Sequence, residues 1–313
     1  MTALSEPLVV ATPRLRRARL AILGHPKILA GLAILAFFVV LTVIQPLLDA
    51  TLWAGKDTIY DPQFGFDTSI AHPSAPSAEH WLGTSSTGRD VFSMFAYAAR
   101  PTLFVAVSAA LSIAAISLVF GSLAAYRGGW LDGFVSHLSD AMVLLPAMIA
   151  VFILGIGRPN DEFGALQVGL SFGILYGLGP ATATVRAAAL TVVARPFMDA
   201  ARVSGGGGGW ILTRHVLPHL YAHAAVQAMI GATGAVIADA FLSFRSAIGD
   251  DFGFGQMVYD GIVWSDLMAG IAPIPWWIML AGAGGITLLA ASFYLIGVGL
   301  REALDPRTQS TIR

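Results

Sequence analysis

The histidines are the first residues whose type and spacing could do chemistry. His215, His219 and His223 follow one another at intervals of four residues. On a helix, that interval places three imidazoles on one face, as in some zinc sites. No carboxylate joins this stripe, and the sequence therefore predicts no metal site there. His80 and His137 are the other candidates, and we predict a catalytic role for neither, so no catalytic residue is expected.

Two aspartates in apolar surroundings are the next candidates. Asp239 is the one formal charge inside a long apolar stretch, and an ionisable group at membrane depth is by default a functional hypothesis. It could relay protons in an ion-coupled carrier, or it could make structural hydrogen bonds near the mouth of a pathway. Asp140 precedes another apolar stretch, where we expect it to bond to a helix N-terminus.

Nucleotide chemistry is absent from the sequence. No Gly-x-x-x-x-Gly-Lys-[Ser/Thr] segment occurs, and the only Gly-Lys pair, Gly55-Lys56, is followed by Asp57. The sequence predicts no cofactor on this chain and no nucleic-acid partner. The absence of cysteine also excludes disulfides and thiolate metal sites.

The elements that carry these residues are mostly apolar. Hydrophobic residues make up 56% of the chain and charged residues 12%, with a mean hydropathy of +0.72, whereas soluble domains carry about 25% charge. Six stretches are long and apolar enough to form membrane-spanning helices, which need roughly 20 residues. They predict an all-α integral membrane protein with spans at residues 28–48, 101–125, 141–157, 163–185, 220–244 and 273–300.

Lys and Arg predict the orientation of these spans. If the N-terminus is cytoplasmic, 13 of the 18 basic residues lie on that side of the membrane. The positive-inside rule then places both termini and the loop with the glycine run in the cytoplasm. We therefore expect residues 1–27 to form a cytoplasmic segment and residues 28–313 the transmembrane domain. Two segments lie outside, 49–100, which is expected to end in a short separate helix, and 245–272.

A cytoplasmic hairpin is predicted at residues 195–218. Pro196 can open a helix over residues 197–204, and a second short helix is expected over residues 210–216. Five glycines, 205–209, join the two helices. We expect this run to form a tightly packed turn in which a neighbour of Gly205 also has positive φ. The alternative is a slack segment that becomes ordered only when a partner docks.

Several motifs of this chain resemble those of ABC-importer permeases. The hairpin has the spacing of their cytoplasmic signature, with Asp199 in place of the usual Glu. His80 to Ser93, "HWLGTSSTGRDVFS", is similar to an element of the oligopeptide/dipeptide branch, as are "IADAFLSF" and "GLREALDPR". The chain is identified as resembling the C-type subunit of that branch on these segments and on the following residues: Asp199, Ala200, Ala201, Gly205, His215, Leu217, Pro218, Gly128, Gly129, Asp132, Asp140 and Pro146.

The resemblance implies a type I permease fold with coupling helices in a bacterial inner membrane. It also implies a homologous permease as heterodimer partner, ATPase subunits that hold ATP and Mg, and an extracytoplasmic binding protein. Residues expected at or near the ATPase contact are Asp199, Ala200, Ala201, Gly205, Trp210, Arg214, His215, Leu217 and Pro218. The expected cargo is a di- or oligopeptide. Nickel, glutathione and haem remain alternatives on the same architecture, and an ion-coupled carrier is the alternative of another class.

Overall fold

The computed structural model describes residues 24–155, 164–245, 252–267 and 275–304. Within these ranges the backbone forms helices and turns, with one isolated bridge between Thr84 and Asp90. The helices are α1 Pro26–Ala50, α2 Asp57–Tyr60, α3 Val91–Arg127, α4 Gly129–Leu144, α5 Ala147–Gly155, α6 Ala165–Tyr176, α7 Thr182–Val193, α8 Pro196–Val203, α9 Gly208–Ile211, α10 Leu217–Arg245, α11 Phe254–Leu267 and α12 Trp276–Leu304.

The predicted all-α membrane architecture is confirmed. Among the described residues, five helices or continuous helical stretches are long and apolar enough to cross a bilayer, and α4 with α5 makes a sixth candidate. Helices satisfy every backbone N–H and C=O internally, which a hydrocarbon environment demands. We call the end of the bundle that carries residues 51–90 the cap end, and the end that carries residues 195–218 the hairpin end.

The separate short helix expected before the second span is wrong. α3 is one helix of 37 residues that begins at Val91 and passes through Pro101 without a break. A proline inside a helix removes one i→i−4 hydrogen bond, but α3 packs against α6, α7, α10 and α1 along its length. This packing stabilises the helix across the missing bond.

The third span, expected at residues 141–157 with a start that could lie before Asp140, is a bent pair of helices. The chain forms α4, which begins at Gly129, and then α5, and the two meet at an angle of 76°. Leu145, between them, has an extended backbone with φ −81° and ψ 118°. The ring of Pro146 explains the break, because it disfavours the helical conformation in the residue before it.

The fourth span contains a kink that the sequence did not predict. A π-helical turn, Gly177–Ala181, joins α6 to α7, and Gly179 within it has a non-helical backbone with φ −84° and ψ −113°. The Ser139 hydroxyl of α4 donates a 2.7 Å hydrogen bond to the Leu178 carbonyl. The irregular backbone is therefore partly satisfied by a neighbouring helix, as membrane proteins require.

The main core lies between α1, α3, α10, α11 and α12, around residues such as Phe38, Ile113, Phe254 and Leu289. Helix α11 was not predicted within the outer segment 245–272; it packs against α10 and α12. The predicted N-terminal segment falls largely outside the described residues, as do parts of the outer segment and the "DPR" ending.

Candidate functional site

The hairpin at residues 195–218 is anchored by a buried apolar face. Met198 of α8, together with Ile211 and Val216 of the following helix, is fully or almost fully buried. These side chains pack in a second core cluster with side chains of the membrane-spanning helices. The other buried members of that cluster are Ala125 of α3, Val185 and Ala189 of α7, and Leu220 and Ala224 of α10. A displacement of the hairpin must therefore displace the ends of three spans, because close-packed interiors transmit strain.

The opposite face of the hairpin is exposed. Val203 is 89% exposed and Trp210 is 55% exposed, and Ala200 and Arg214 are also exposed. Among the residues that the structure describes, Asp199 pairs with Arg202 on the same helix, at 3.1 Å and in an exposed position. Large apolar side chains on a surface of this kind are typical of regions that contact a protein partner or a membrane.

The remaining predicted contact residues do not all lie on that face. Ala201 packs against the buried cluster, and Leu217 is half-buried. His215 is half-buried, and its ring lies 4.9 Å from the Trp210 ring, centre to centre. Pro218 is exposed. The sequence pattern thus predicted the segment, but it did not separate the residues that face outward from those that hold the segment in place.

The second hairpin helix is not the short, separate helix that was expected. It begins at Gly208 and continues through a π-helical turn, Leu212–Val216, into α10. The ring of Pro218, directly after this turn, removes one i→i−4 donor. A change of hydrogen-bond register at that point lets the helix continue.

The glycine run forms a turn between α8 and α9. Gly205 alone among the five has positive φ, at +83°. The amide N–H groups of Ser204, Gly205 and Gly206 bond to the carbonyls of Ala200, Arg202 and Ala201, which ends α8. The expectation of a second positive φ in the run is wrong, because Gly207 precedes α9 in an extended conformation with φ −65°.

This geometry predicts opposite effects for alanine in the run. Gly205→Ala should destabilise the hairpin by about 1 kcal/mol or more, since positive φ disfavours any residue with a Cβ. Gly207→Ala with Gly208→Ala should not destabilise it, because the nearest atom to either new Cβ is 3.5 Å away and alanine favours helices. Thermal unfolding of the purified chain measures both. If the double variant unfolds at a lower temperature than Gly205→Ala, the assigned conformation of the turn is contradicted.

The two aspartates in apolar surroundings occupy different environments. Asp140 lies near the C-terminal end of α4 and is exposed. The expected bond to a helix N-terminus is wrong; Asp132 is the acidic residue in the first turn of α4, and it forms a two-point ion pair with Arg186 at 2.6 Å. Asp239 accepts a 2.7 Å hydrogen bond from the Thr102 hydroxyl and so links α10 to α3.

A cluster of buried polar side chains lies at the cap end, and the sequence did not predict that these residues contact one another. The His80 ring, 1% exposed, lies between two buried carboxylates: Nδ1 is 2.8 Å from Asp90 and Nε2 is 3.2 Å from Asp67. Asp90 also accepts a 2.7 Å hydrogen bond from the Ser93 amide and caps α3. His80 and Asp90 belong to the quoted motif, but Asp67 lies 13 residues before His80, in a segment without a recognisable pattern.

The protonation of His80 follows from these contacts. Burial lowers the pKa of His80, but its hydrogen bonds to Asp90 and Asp67 outweigh burial and raise the pKa above the usual 6.5. Hydrogen bonds from the Ser69 hydroxyl and amide lower the pKa of Asp67 to about 2. A neutral imidazole can donate only one hydrogen bond, whereas the protonated ring donates to both carboxylates.

The cap should therefore lose stability in alkaline solution. Because the folded pKa of His80 is raised, its contribution is fully present below about pH 6.5 and is lost as pH rises through the folded pKa. Tyr60, whose ring lies 5.9 Å from His80, also has a raised pKa, caused first by burial. We expect the unfolding temperature of the wild type to fall more steeply than that of His80→Gln as pH rises above about 6.5. Parallel curves for the two proteins would contradict this assignment.

Comparison of the sequence with known proteins identifies the family of this chain. Residues 117–310 match the family model described as "Binding-protein-dependent transport system inner membrane component". The chain belongs to this family of permeases. The matched region contains the hairpin, both π-helical turns and Asp239.

Full-length relatives extend the similarity over the cap and α1. The chain is 30% identical to the dipeptide transport system permease protein DppC of Alkalihalophilus pseudofirmus, over 99% of this chain and 92% of that protein. It is 30% identical to DppC of Bacillus subtilis, over 94% and 84% respectively. It is also 32% identical to a putative peptide permease of Brucella abortus, BruAb2_0794, over 86% of each chain. The permease is thus a multi-pass membrane transport subunit.

Proposed function

We propose that this permease is one half of the translocation pathway of an ATP-driven importer of di- or oligopeptides. The observation that carries the proposal is the hairpin, which exposes Trp210 and Arg214 on one face and buries Met198 and Ile211 on the other. Such an element can contact a motor protein and pass its movement to the bundle. The peptide cargo is supported by the names of the relatives, which are dipeptide and peptide permeases.

The proposed energy source lies outside the chain. The sequence has no phosphate-binding loop, so ATP and Mg belong to ATPase subunits that dock on the exposed face of the hairpin. We place the hairpin end and both termini in the cytoplasm of a bacterium, with the protein in the inner membrane. The cap end then faces the extracytoplasmic binding protein, and a homologous permease completes the pathway.

The proposed mechanism is alternating access. ATP closes the ATPase dimer and moves the hairpin, which displaces α3, α7 and α10 through the buried cluster. Ser139 of α4, six residues before Leu145 at the break between α4 and α5, bonds to Leu178 in the π-helical turn Gly177–Ala181. We place the change in helix direction at these two points, since broken helices at membrane depth line pathways in other transporters.

Reconstitution tests the function. The chain, its partner permease, the ATPase subunits and the binding protein are incorporated into vesicles, and uptake of a radiolabelled dipeptide is measured. Uptake should require ATP in the compartment that contains the ATPase subunits, and omission of the ATPase should abolish it. Uptake by this chain alone, driven by a pH gradient, would contradict the proposal and favour an ion-coupled carrier. Competition by nickel, glutathione or haem in place of unlabelled dipeptide would change the cargo but not the architecture.

A further inference from the structure

An apolar groove with one basic side chain opens on the surface of the bundle between α1 and α3. It has a volume of about 500 Å³ and is lined by Thr42, Val43, Pro46, Leu47, Arg100, Leu103 and Phe104. Val43, Leu47 and Phe104 are each more than half exposed. A groove of this volume with apolar walls is in the size range of small-ligand sites.

Arg100 lies at the depth of lipid headgroups. It precedes Arg127, at the other end of α3, by 27 residues, and the 26 residues between them carry no charge. At about 1.5 Å per residue the two arginines are about 40 Å apart, which matches a bilayer measured with its headgroup regions. The groove below Arg100 therefore faces the acyl-chain region of the leaflet at the cap end.

The Arg100 guanidinium has no carboxylate within ion-pair distance among the residues that the structure describes. It is exposed, and the residues that share the groove with it are uncharged. A cation above an apolar groove at this depth favours a ligand with an anionic head and a hydrocarbon tail.

We propose that the groove binds a phospholipid of the leaflet at the cap end. Its phosphate accepts hydrogen bonds from Arg100, and one acyl chain lies along Val43, Leu47 and Phe104. The planar guanidinium suits a phosphate, with which it can form two parallel hydrogen bonds. Such a lipid would link α1 to α3 next to the start of the membrane-spanning part of α3. The site is independent of the cargo that the permease transports.

The experiment uses the complete complex in phosphatidylcholine vesicles that contain phosphatidylglycerol with a photoactivatable group on one acyl chain. Cross-links are mapped to residues 42–47 and 103–104 by mass spectrometry. Arg100→Gln should lower cross-linking at these residues about fivefold, and Arg100→Lys should lower it less. Arg127→Gln is the matched control, since it removes an exposed arginine from the other end of the same helix and should leave cross-linking unchanged.

Two further measurements separate the possible occupants. Val43→Trp should block the groove and abolish cross-linking even though Arg100 is intact, whereas free inorganic phosphate should not compete. Equal cross-linking in the wild type and Arg100→Gln would overturn the proposal. So would competition by free phosphate, which would show an anion site without a lipid. A photoactivatable residue introduced at position 47 that cross-links to the partner permease and not to lipid would also overturn it.

Discussion

Met198→Ala should separate ATP hydrolysis from transport. Met198 lies in the first helix of the hairpin, and its side chain is fully buried against the ends of the membrane-spanning helices. Truncation of a buried methionine to alanine costs about 2–5 kcal/mol, which is enough to loosen a helix of eight residues. We expect dipeptide uptake by the reconstituted complex to fall at least about tenfold, since about 1.4 kcal/mol already corresponds to that factor, while the ATPase subunits continue to hydrolyse ATP.

Val203→Ala is the matched control for this change. Val203 belongs to the same helix, but it is 89% exposed and makes no contribution to the buried cluster. Its truncation tests the docking face rather than the anchor, and it should leave the stability of the isolated chain unchanged. Uptake and hydrolysis measured on the same vesicles distinguish the two roles. Normal uptake by Met198→Ala would show that the buried anchor does not transmit the movement.

Gly83→Ala should disrupt the cap. Gly83 has φ +75°, and a Cβ at this position would lie 2.6 Å from the Ser74 carbonyl oxygen and 2.8 Å from Nε1 of Trp277. That Nε1 donates a 3.1 Å hydrogen bond to the Thr84 carbonyl, which links the cap to α12. Backbone strain and overpacking together should cost about 2–5 kcal/mol, seen as a lower unfolding temperature in detergent.

Gly55→Ala provides the comparison, because Gly55 has φ +76° but no atom within 4 Å of a new Cβ. Gly55→Ala should therefore lower the free energy of unfolding by about 1 kcal/mol, through the strained backbone conformation alone. The difference between the two variants therefore measures the cost of the contacts that the new Cβ makes with Ser74 and Trp277. Equal losses of stability would show that these contacts cost nothing.

Prolines show how much of the fold the sequence could predict. The apolar stretches predicted the spans because composition and length determine which segments enter a membrane. Pro46 and Pro101 lie inside continuous helices, Pro146 follows a 76° bend, and Pro180 lies in a π-helical turn. All four lack the same N–H donor, and packing against neighbouring helices decides the outcome. No local pattern contains that information.

For the candidate site, the sequence predicted the segment but not the residues that hold it in place. The signature around Asp199 indicated the hairpin, but the residues that anchor it, such as Met198 and Val216, are ordinary apolar residues in the sequence. Their role depends on Val185 and Ala189, which belong to another helix. At the cap end, the partner Asp67 of His80 was missed for the same reason, since a contact across 13 residues of loop has no periodicity.

The division of the interior into two clusters has a consequence for how this permease can evolve. The main core and the cluster at the hairpin end share no residue, although α3 and α10 contribute to both. Substitutions at distant sites without shared partners have nearly additive effects on stability. If the ATPase docks on the hairpin as proposed, the hairpin and its anchors can adapt to a changed ATPase surface while the residues around Phe38 and Ile113 stay as they are. Replacement of one ATPase subunit by another would then require change at one end of the bundle only.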